Sequence, residues 1–309
     1  MERDFVRWIC SRLPDSCRLV VGAGDDAAIL RLTERADVVA TTDMLMDGVD
    51  FELRRHEPER IGRKALAVNL SDLAAMAATP IGALVSVALP RQGGEQLAKR
   101  LVEGMLPLVT EFDCPIAGGD TNSWDGPLVI SITALGEVPL ERRWLRSGAK
   151  PGDAIVVTGQ FGGSILGRHF ECTPRVREAL WLAENAEVKA AIDVSDGLSL
   201  DLSRICEASG CGAVVELEKV PISSAAEDLA RKDGGDLSAL DHALGDGEDF
   251  ELILAIPPNQ AAELIARQPL QVPLTQIGQF IGEAGLFGRG ENGTLQPLKP
   301  RGYEHRLDS

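Results

Sequence analysis

Carboxylates are the residues most able to do chemistry in this chain, and their placement repeats. Five acidic clusters stand at strand ends, at glycine turns or on an apolar helix: GAGDD (Asp25, Asp26), TTDM (Asp43), NLSD (Asp72), GGDT (Asp120) and DVSDG (Asp193, Asp196). Gathered in one place, such a set is self-repelling, and only cations relieve the repulsion. Hard oxygen donors select Mg²⁺ or Ca²⁺ over Zn²⁺, and Mg²⁺ commonly takes one or two carboxylates plus substrate phosphates. The neighbouring glycines let backbone N–H groups approach anions. Carboxylates and glycine turns together point to a nucleoside triphosphate held through divalent metal. Each cluster alone also suits a plain role. Asp25, Asp26, Asp43 and Asp120 fit turns, and Asp196 suits the start of a following helix. Asp72 is the most informative, because KALAVNLSDLAAMAA is otherwise an apolar helix. A carboxylate buried there needs a partner or a metal. Asn69, three residues earlier, shares its face.

The elements that must position these groups can be read from periodicity. Helices are expected over 2–13, 58–78, 94–112, 164–170, 174–186, 197–208 and 259–267, and strands over 37–42, 81–89, 115–117, 128–138, 154–158, 191–194, 213–217 and 251–256. Pro58 suits a first helical turn, and Pro80 lies just past that helix's end. RSGAKPGD, residues 146–153, is poor in apolar residues and rich in turn formers, which places a domain boundary near Lys150. Mixed strands and helices on both sides of it give an α/β (α+β) fold of two domains, 1–149 and 150–309.

The chain has 309 residues, 44% of them hydrophobic and only 4% aromatic, so the core must come from Ala, Val, Leu and Ile. Its net charge of −16 argues against a nucleic-acid or anionic-membrane partner, both of which call for Lys and Arg. No apolar run reaches the roughly 18–20 residues of a membrane span, and the charged N-terminal stretch is unlike a signal peptide. The six cysteines form no C-x-x-C pair and read as small buried residues of a reducing, cytoplasmic setting. Lys64 reads as a solvated charge on its helix. Walker A, H-R-D, D-F-G and G-x-S-x-G patterns are all missing, which sets aside P-loop kinases, protein kinases and serine hydrolases.

Taken in order, GDDAAIL, TTDMLMDGVDF, KALAVNLSDLAAM, GGDT, RSGAKPGD, DVSDGLSLDL and GEDFEL resemble the thiamine-monophosphate kinase family, part of the aminoimidazole ribonucleotide synthetase-like group of ATP enzymes. The likeness runs from Val21 to Leu252, and more weakly to Gly302 and Tyr303. It implies ATP- and Mg²⁺-dependent phosphorylation of thiamine monophosphate to thiamine diphosphate. It also implies a two-domain fold whose N-terminal domains pair through their sheets in a homodimer, with ATP in the cleft of each subunit. Metal positions of the family match Asp26, Thr41, Thr42, Asp43, Asp72, Asp120, Asp193 and Asp196. Nucleotide positions match Gly119, Asp120, Arg146 and Ser195, and acceptor positions match Glu248 and Tyr303. Asp43, Asp72, Asp120 and Arg146 are the expected catalytic set.

Two departures stand out. Asp50 occupies the acceptor-contacting place where the family usually has His, and Tyr303 replaces Trp or Phe. An Asp beside an anionic phosphate repels it unless metal bridges the two or the side chain turns away. Arg146 either adds positive charge to the phosphates or is a solvated linker residue. Ser195 either bonds a phosphate oxygen or caps the next helix. Two other readings stay open. One keeps the fold and ATP with a different acceptor, as in amidine-forming synthetases or selenophosphate synthetase. The other is a metal- or nucleotide-binding homologue without catalysis.

Overall fold

The computed structural model describes residues 8–22, 27–232, 234, 236–290 and 292–304. The expected helix over 2–13 is described over 8–12 (α1), while its first residues, together with Asp25 and Asp26, lie outside the described residues. The chain forms two units, Met1–Leu73 with Ala78–Arg143, and Trp144–Ser309 with Ala74–Ala77.

The first unit is built on a four-stranded sheet of order β3-β6-β4-β5, from Ala36–Met46 (β3), Thr79–Pro90 (β4), Ile116–Trp124 (β5) and Val129–Pro139 (β6). A separate antiparallel pair joins Leu19–Val21 (β1) to Ile29–Leu30 (β2). Strands β3 and β4 both run antiparallel to β6, whereas β4 and β5 are parallel. A parallel neighbour needs a crossover, and Gly94–Glu111 (α3) supplies it. The long helix α2, Pro58–Ala75, follows β3. Its backbone lies so close to α3 that a Cβ on Gly62 would stand 2.0 Å from the Leu101 carbonyl oxygen, and one on Gly104 1.8 Å from that of Glu59. Arg100 of α3 bonds Glu59 at the start of α2 at 2.6 and 2.7 Å. Ile61, Leu66, Leu70, Leu73, Leu101, Met105, Leu108, Ile130 and Ile132 are buried, the aliphatic core that the composition demanded.

Two expected boundaries shift in this unit. Asp43 lies inside β3, because its pairing with β6 continues without a break to Met46. Gly118, Gly119 and Asp120 are strand residues and not a turn, since β5 pairs with β4 as far as Trp124.

In the second unit, a seven-stranded sheet has the order β13-β12-β9-β11-β7-β10-β8. Its strands are Ala154–Thr158 (β7), Ala190–Asp193 (β8), Gly212–Glu216 (β9), Leu252–Ile256 (β10), Leu274–Ile281 (β11), Gly285–Arg289 (β12) and Leu295–Pro297 (β13). All neighbours are antiparallel except β9 and β12. The helices are α4 (Val176–Asn185), α5 (Leu198–Ser209), α6 (Ser224–Lys232), α7 (Ala239–Gly245) and α8 (Pro258–Arg267). Leu198, Leu202 and Ile205 of α5 join Ile155, Ile192, Ile253 and Phe280 in one apolar cluster. The helix expected over 164–170 is instead two 3-10 turns, Ser164–Leu166 and Arg168–Phe170, separated by Gly167 at φ 123°.

Four cysteines are buried as expected, but Cys10 and Cys17 are exposed. Among the described residues, no helix is long and apolar enough to cross a membrane.

Candidate active site

In the first unit, β3 and α2 bring the expected ligands together. Alternation along β3 turns Thr41, Asp43 and the buried Leu45 to one face. The Thr41 hydroxyl donates to the Asp72 carboxylate on α2, which is the partner a carboxylate on that apolar helix requires. One turn back, Asn69 is fully buried. Its amide N–H donates to the Ala65 carbonyl at 3.0 Å, and among the described residues its Oδ1 has no hydrogen-bond partner. All these donors are hard oxygens. Two carboxylates, a hydroxyl and an orphaned amide oxygen fit Mg²⁺, which keeps several waters and completes its shell with phosphate. Among the described residues, no group of three His, Cys, Asp or Glu side chains is placed to hold a metal by itself.

Other predicted residues fall elsewhere in the same sheet. Thr42 faces away from Asp43: its hydroxyl donates to the Ile132 carbonyl and accepts from Thr133, both at 3.1 Å. Asp120 stands directly opposite Ser86, which pairs with Ser131, which pairs with Met44. That row lies on the sheet face opposite Asp43, whose own row runs through Ile132, Val85 and Gly119. The expected convergence therefore gathers Thr41, Asp43 and Asp72 but not the side chains of Thr42 and Asp120. Gly119 is required by contact, because a Cβ there would stand 1.8 Å from the Val85 carbonyl oxygen. It borders a cavity of about 710 Å³ walled by Leu30, Leu84, Val102, Met105 and Ile116.

Asp50 does not present a free carboxylate. Its Oδ2 accepts the Met46 N–H at 2.7 Å, closing the loop that follows β3. Lys64, expected in solvent, is fully buried and donates from Nζ to the Asp50 carbonyl at 2.8 Å.

The second unit draws four predicted residues into one knot around the turn after β8. Glu248 N–H donates to the Ser195 carbonyl at 2.7 Å, and Tyr303 N–H to the Asp196 carbonyl at 2.9 Å. Asp193 ends β8 and is buried. Neither Ser195 nor Asp196 caps α5. From the first turn of α5, Asp201 instead reaches back to the residues before the helix, its carboxylate accepting the N–H groups of Asp196 and Gly197 at 3.0 and 3.1 Å. Burial pushes the Asp201 carboxyl up to about 6, against those N–H groups and the nearby Arg204. Arg204 in turn pairs with Asp196 at 2.6 Å. Arg146 is exposed, and its carbonyl accepts the Ser209 hydroxyl at 3.2 Å.

Behind this knot lies machinery that the sequence reading left without roles. Glu248 and Phe250 both hold positive φ, 63° and 52°, a strained state for side-chain-bearing residues. Buried carboxylates on the next residues fix them. Asp249 accepts the Gly162 N–H at 2.9 and 3.0 Å and Arg168 at 2.8 Å. Glu251 accepts Thr158 at 2.6 Å and both nitrogens of an Arg175 fork at 2.7 and 2.6 Å. Asp246 takes the Gly163 N–H at 2.8 Å. The glycine loop after β7 thus gives those N–H groups to the protein's own carboxylates. The only sequence signal for this lock was the alternation of acids in GEDFEL.

Two family models match the chain: AIR synthase related protein, N-terminal domain, over residues 24–138, and AIR synthase related protein, C-terminal domain, over 150–290. Fold and matches together define the class, the AIR synthase-related two-domain proteins. Within that class the agreement is closer with one branch. The chain is 45% identical to the thiamine-monophosphate kinase of Rhodopirellula baltica, over 99% of this chain and 97% of that one. It is 37% identical to the thiamine-monophosphate kinase of Salmonella typhimurium, over 99% and 96%. The chain belongs to the thiamine-monophosphate kinase family. The crystal structure of thiamine-monophosphate kinase from Stenotrophomonas maltophilia superposes with a TM-score of 0.79 at 33% identity, covering 93% of this chain and 95% of that one. A structure of AaThiL complexed with AMPPCP and TMP gives 0.77 at 27%, covering 92% and 91%. The hydrogenase maturation protein HypE of E. coli shares the fold at 21% identity, with a TM-score of 0.79 over 98% of each chain.

Proposed function

We propose that this protein transfers the γ-phosphoryl group of ATP to thiamine monophosphate, yielding thiamine diphosphate and ADP. An oxygen of the acceptor's phosphate attacks the γ-phosphorus, and the bond to the β-phosphate oxygen breaks. A phosphate monoester is largely dianionic at neutral pH and needs no general base, so the barrier is the meeting of two anions in line. Bound Mg²⁺ would supply the neutralising charge. On this reading Asp43, Asp72 and the Thr41 hydroxyl hold metal from β3 and α2, and Asp120, whose side chain lies on the other sheet face, is a proposed metal or nucleotide contact apart from that set. Asp26 and Thr42 of the first unit, the latter through its backbone, and Asp193 and Asp196 of the second are further proposed metal contacts. Gly119, Arg146 and Ser195 are the proposed nucleotide contacts. Glu248, Tyr303 and the loop around Asp50 are the proposed acceptor contacts. The cavity beside Gly119 is of a size that suits a nucleoside.

The observation that carries the reading is the hydroxyl–carboxylate pair Thr41–Asp72, on the sheet face that carries Asp43 and within family motifs that keep their order from Val21 to Leu252. A homodimer is part of the proposal, supported by the exposed apolar residues Val38, Met44 and Leu84 on the sheet face opposite Asp43. A cytoplasmic setting fits six cysteines that form no disulfide among the described residues. Incubation with ATP, Mg²⁺ and thiamine monophosphate, with products identified by mass, tests the function. Thiamine diphosphate and stoichiometric ADP are expected, and ADP release indifferent to thiamine monophosphate would overturn it.

A further inference from the structure

Lysine is almost never fully buried unless its amine is paired, and Lys64 is 0% exposed in the middle of the first unit. Its Nζ reaches the backbone carbonyl of Asp50 at 2.8 Å. The loop it touches is tightly self-bonded. Met46 N–H donates to Asp50 Oδ2 at 2.7 Å, Leu53 N–H to Asp47 Oδ1 at 2.9 Å, and Gly48 N–H to the Phe51 carbonyl at 2.7 Å. Gly48 sits at φ 89°, in the region glycine tolerates. Phe51 is buried, while Val49 between them is exposed. The loop is thus a preformed surface feature pinned from below.

The pin comes from a particular place. Lys64 and Asp72 lie on the same helix, eight residues or about 12 Å apart along its axis. One rigid element therefore carries the carboxylate proposed to hold metal at one point and the brace for the loop at another. We infer that Lys64 is a positioning residue, which with the Asp50 carboxylate fixes the loop over 46–53 at a set distance from Asp72, and that Asp50 serves acceptor recognition through loop shape and not through its charge. The inference rests on the reading of this loop as an acceptor-binding element. It also accounts for an acid in a place where charge alone would repel a phosphate.

Steady-state kinetics on Lys64→Met, Asp50→Ala and Asp50→Asn test it. Lys64→Met and Asp50→Ala are each expected to raise KM for thiamine monophosphate roughly tenfold, the size of a lost hydrogen bond to a charged group, while KM for ATP stays within about twofold. Asp50→Asn keeps an oxygen to accept the Met46 N–H and should recover most of what Asp50→Ala loses. Amide exchange at Val49 and Asp50 should quicken in Lys64→Met. An unchanged acceptor KM in Lys64→Met, an equal rise in both KM values, or Asp50→Asn behaving like Asp50→Ala overturns the inference. Should Lys64→Met fail to fold, the Asp50 pair decides alone, since it leaves α2 intact. Should the wild-type chain leave thiamine monophosphate untouched, the proposed function falls, while unchanged amide exchange in Lys64→Met separately removes the brace.

Discussion

Thr41 on β3 donates its hydroxyl to the carboxylate of Asp72 on α2. The contact joins a strand to the helix that follows it and points both oxygen groups to the sheet face that also carries Asp43. A hydroxyl donor stabilises the ionised carboxylate.

Asp72→Asn should therefore fold and lose turnover. Asparagine keeps the volume and can still accept from Thr41, so thermal unfolding should move by only a few degrees. The metal loses a charged ligand, and kcat should fall on the order of 10²–10³-fold, as when a single electrostatic stabiliser is removed. Mg²⁺ titration by calorimetry in the presence of an ATP analogue should weaken in parallel. A variant with near-normal kcat at saturating Mg²⁺ would remove Asp72 from the metal site.

Arg175 and Glu251 give a stability prediction of a different kind. Both nitrogens of the arginine fork meet the carboxylate, which also takes the Thr158 hydroxyl and lies almost wholly buried. Arg175→Met strands that carboxylate without its partner, a change worth about 3–5 kcal/mol. Denaturant unfolding should show it, and the double variant Arg175→Met with Glu251→Gln should recover much of the loss. A single variant within about 1 kcal/mol of wild type would mean that Thr158 and water suffice.

Gly119→Ala probes the β4–β5 contact. The added methyl would meet the Val85 carbonyl oxygen at 1.8 Å, so the edge strand must shift and carry Asp120 with it. Overpacking of this sort costs about 1–3 kcal/mol. Affinity for a non-hydrolysable ATP analogue should drop well beyond what that destabilisation accounts for. Full nucleotide affinity in a destabilised variant would confine Gly119 to a packing role.

How far all this could be read beforehand depended on which interactions are local. Helix α2 was legible because proline, apolar spacing and a second proline mark its ends, and the buried strands β7, β8 and β10 because their apolar runs are short and bounded. Seven ordered motifs gave the family. The short strands β12 and β13 were not legible, since their sequences are rich in glycine and polar residues and only pairing makes them strands. Lys64 looked like any surface lysine because nothing near it in sequence reveals that the loop over 46–53 folds back across it. Asp249, Glu251 and their arginines were hidden for the same reason, each partner lying many residues away. Asp120 shows a further limit. A glycine pair before an acid reads as a turn, yet pairing with β4 draws the segment into a strand, and the pleat alone then decides which way the carboxylate faces.

Asp249 should make the stability of this protein depend on pH. Burial pushes its carboxyl up to about 8, against the Arg168 charge and the Gly162 N–H, while Glu251 and Asp246 add to the rise. In the unfolded chain the same group ionises near its ordinary value of 3.8. Between these values the folded state holds a proton that the unfolded state releases, so stability falls as pH rises. The contribution is fully present below about pH 4, declines through the interval at no more than ~1.4 kcal/mol per pH unit for one proton, and is gone once the folded carboxyl ionises near 8. Asp249→Asn removes the titration while retaining an oxygen for the Gly162 N–H. Urea unfolding measured from about pH 5 to pH 9 should give a flatter profile for the variant than for the wild type, whose curve falls most steeply below neutral pH and levels off once the folded carboxyl ionises. Parallel curves across that range would show that Arg168 keeps Asp249 ionised throughout, with the pair acting as a fixed salt bridge behind Glu248.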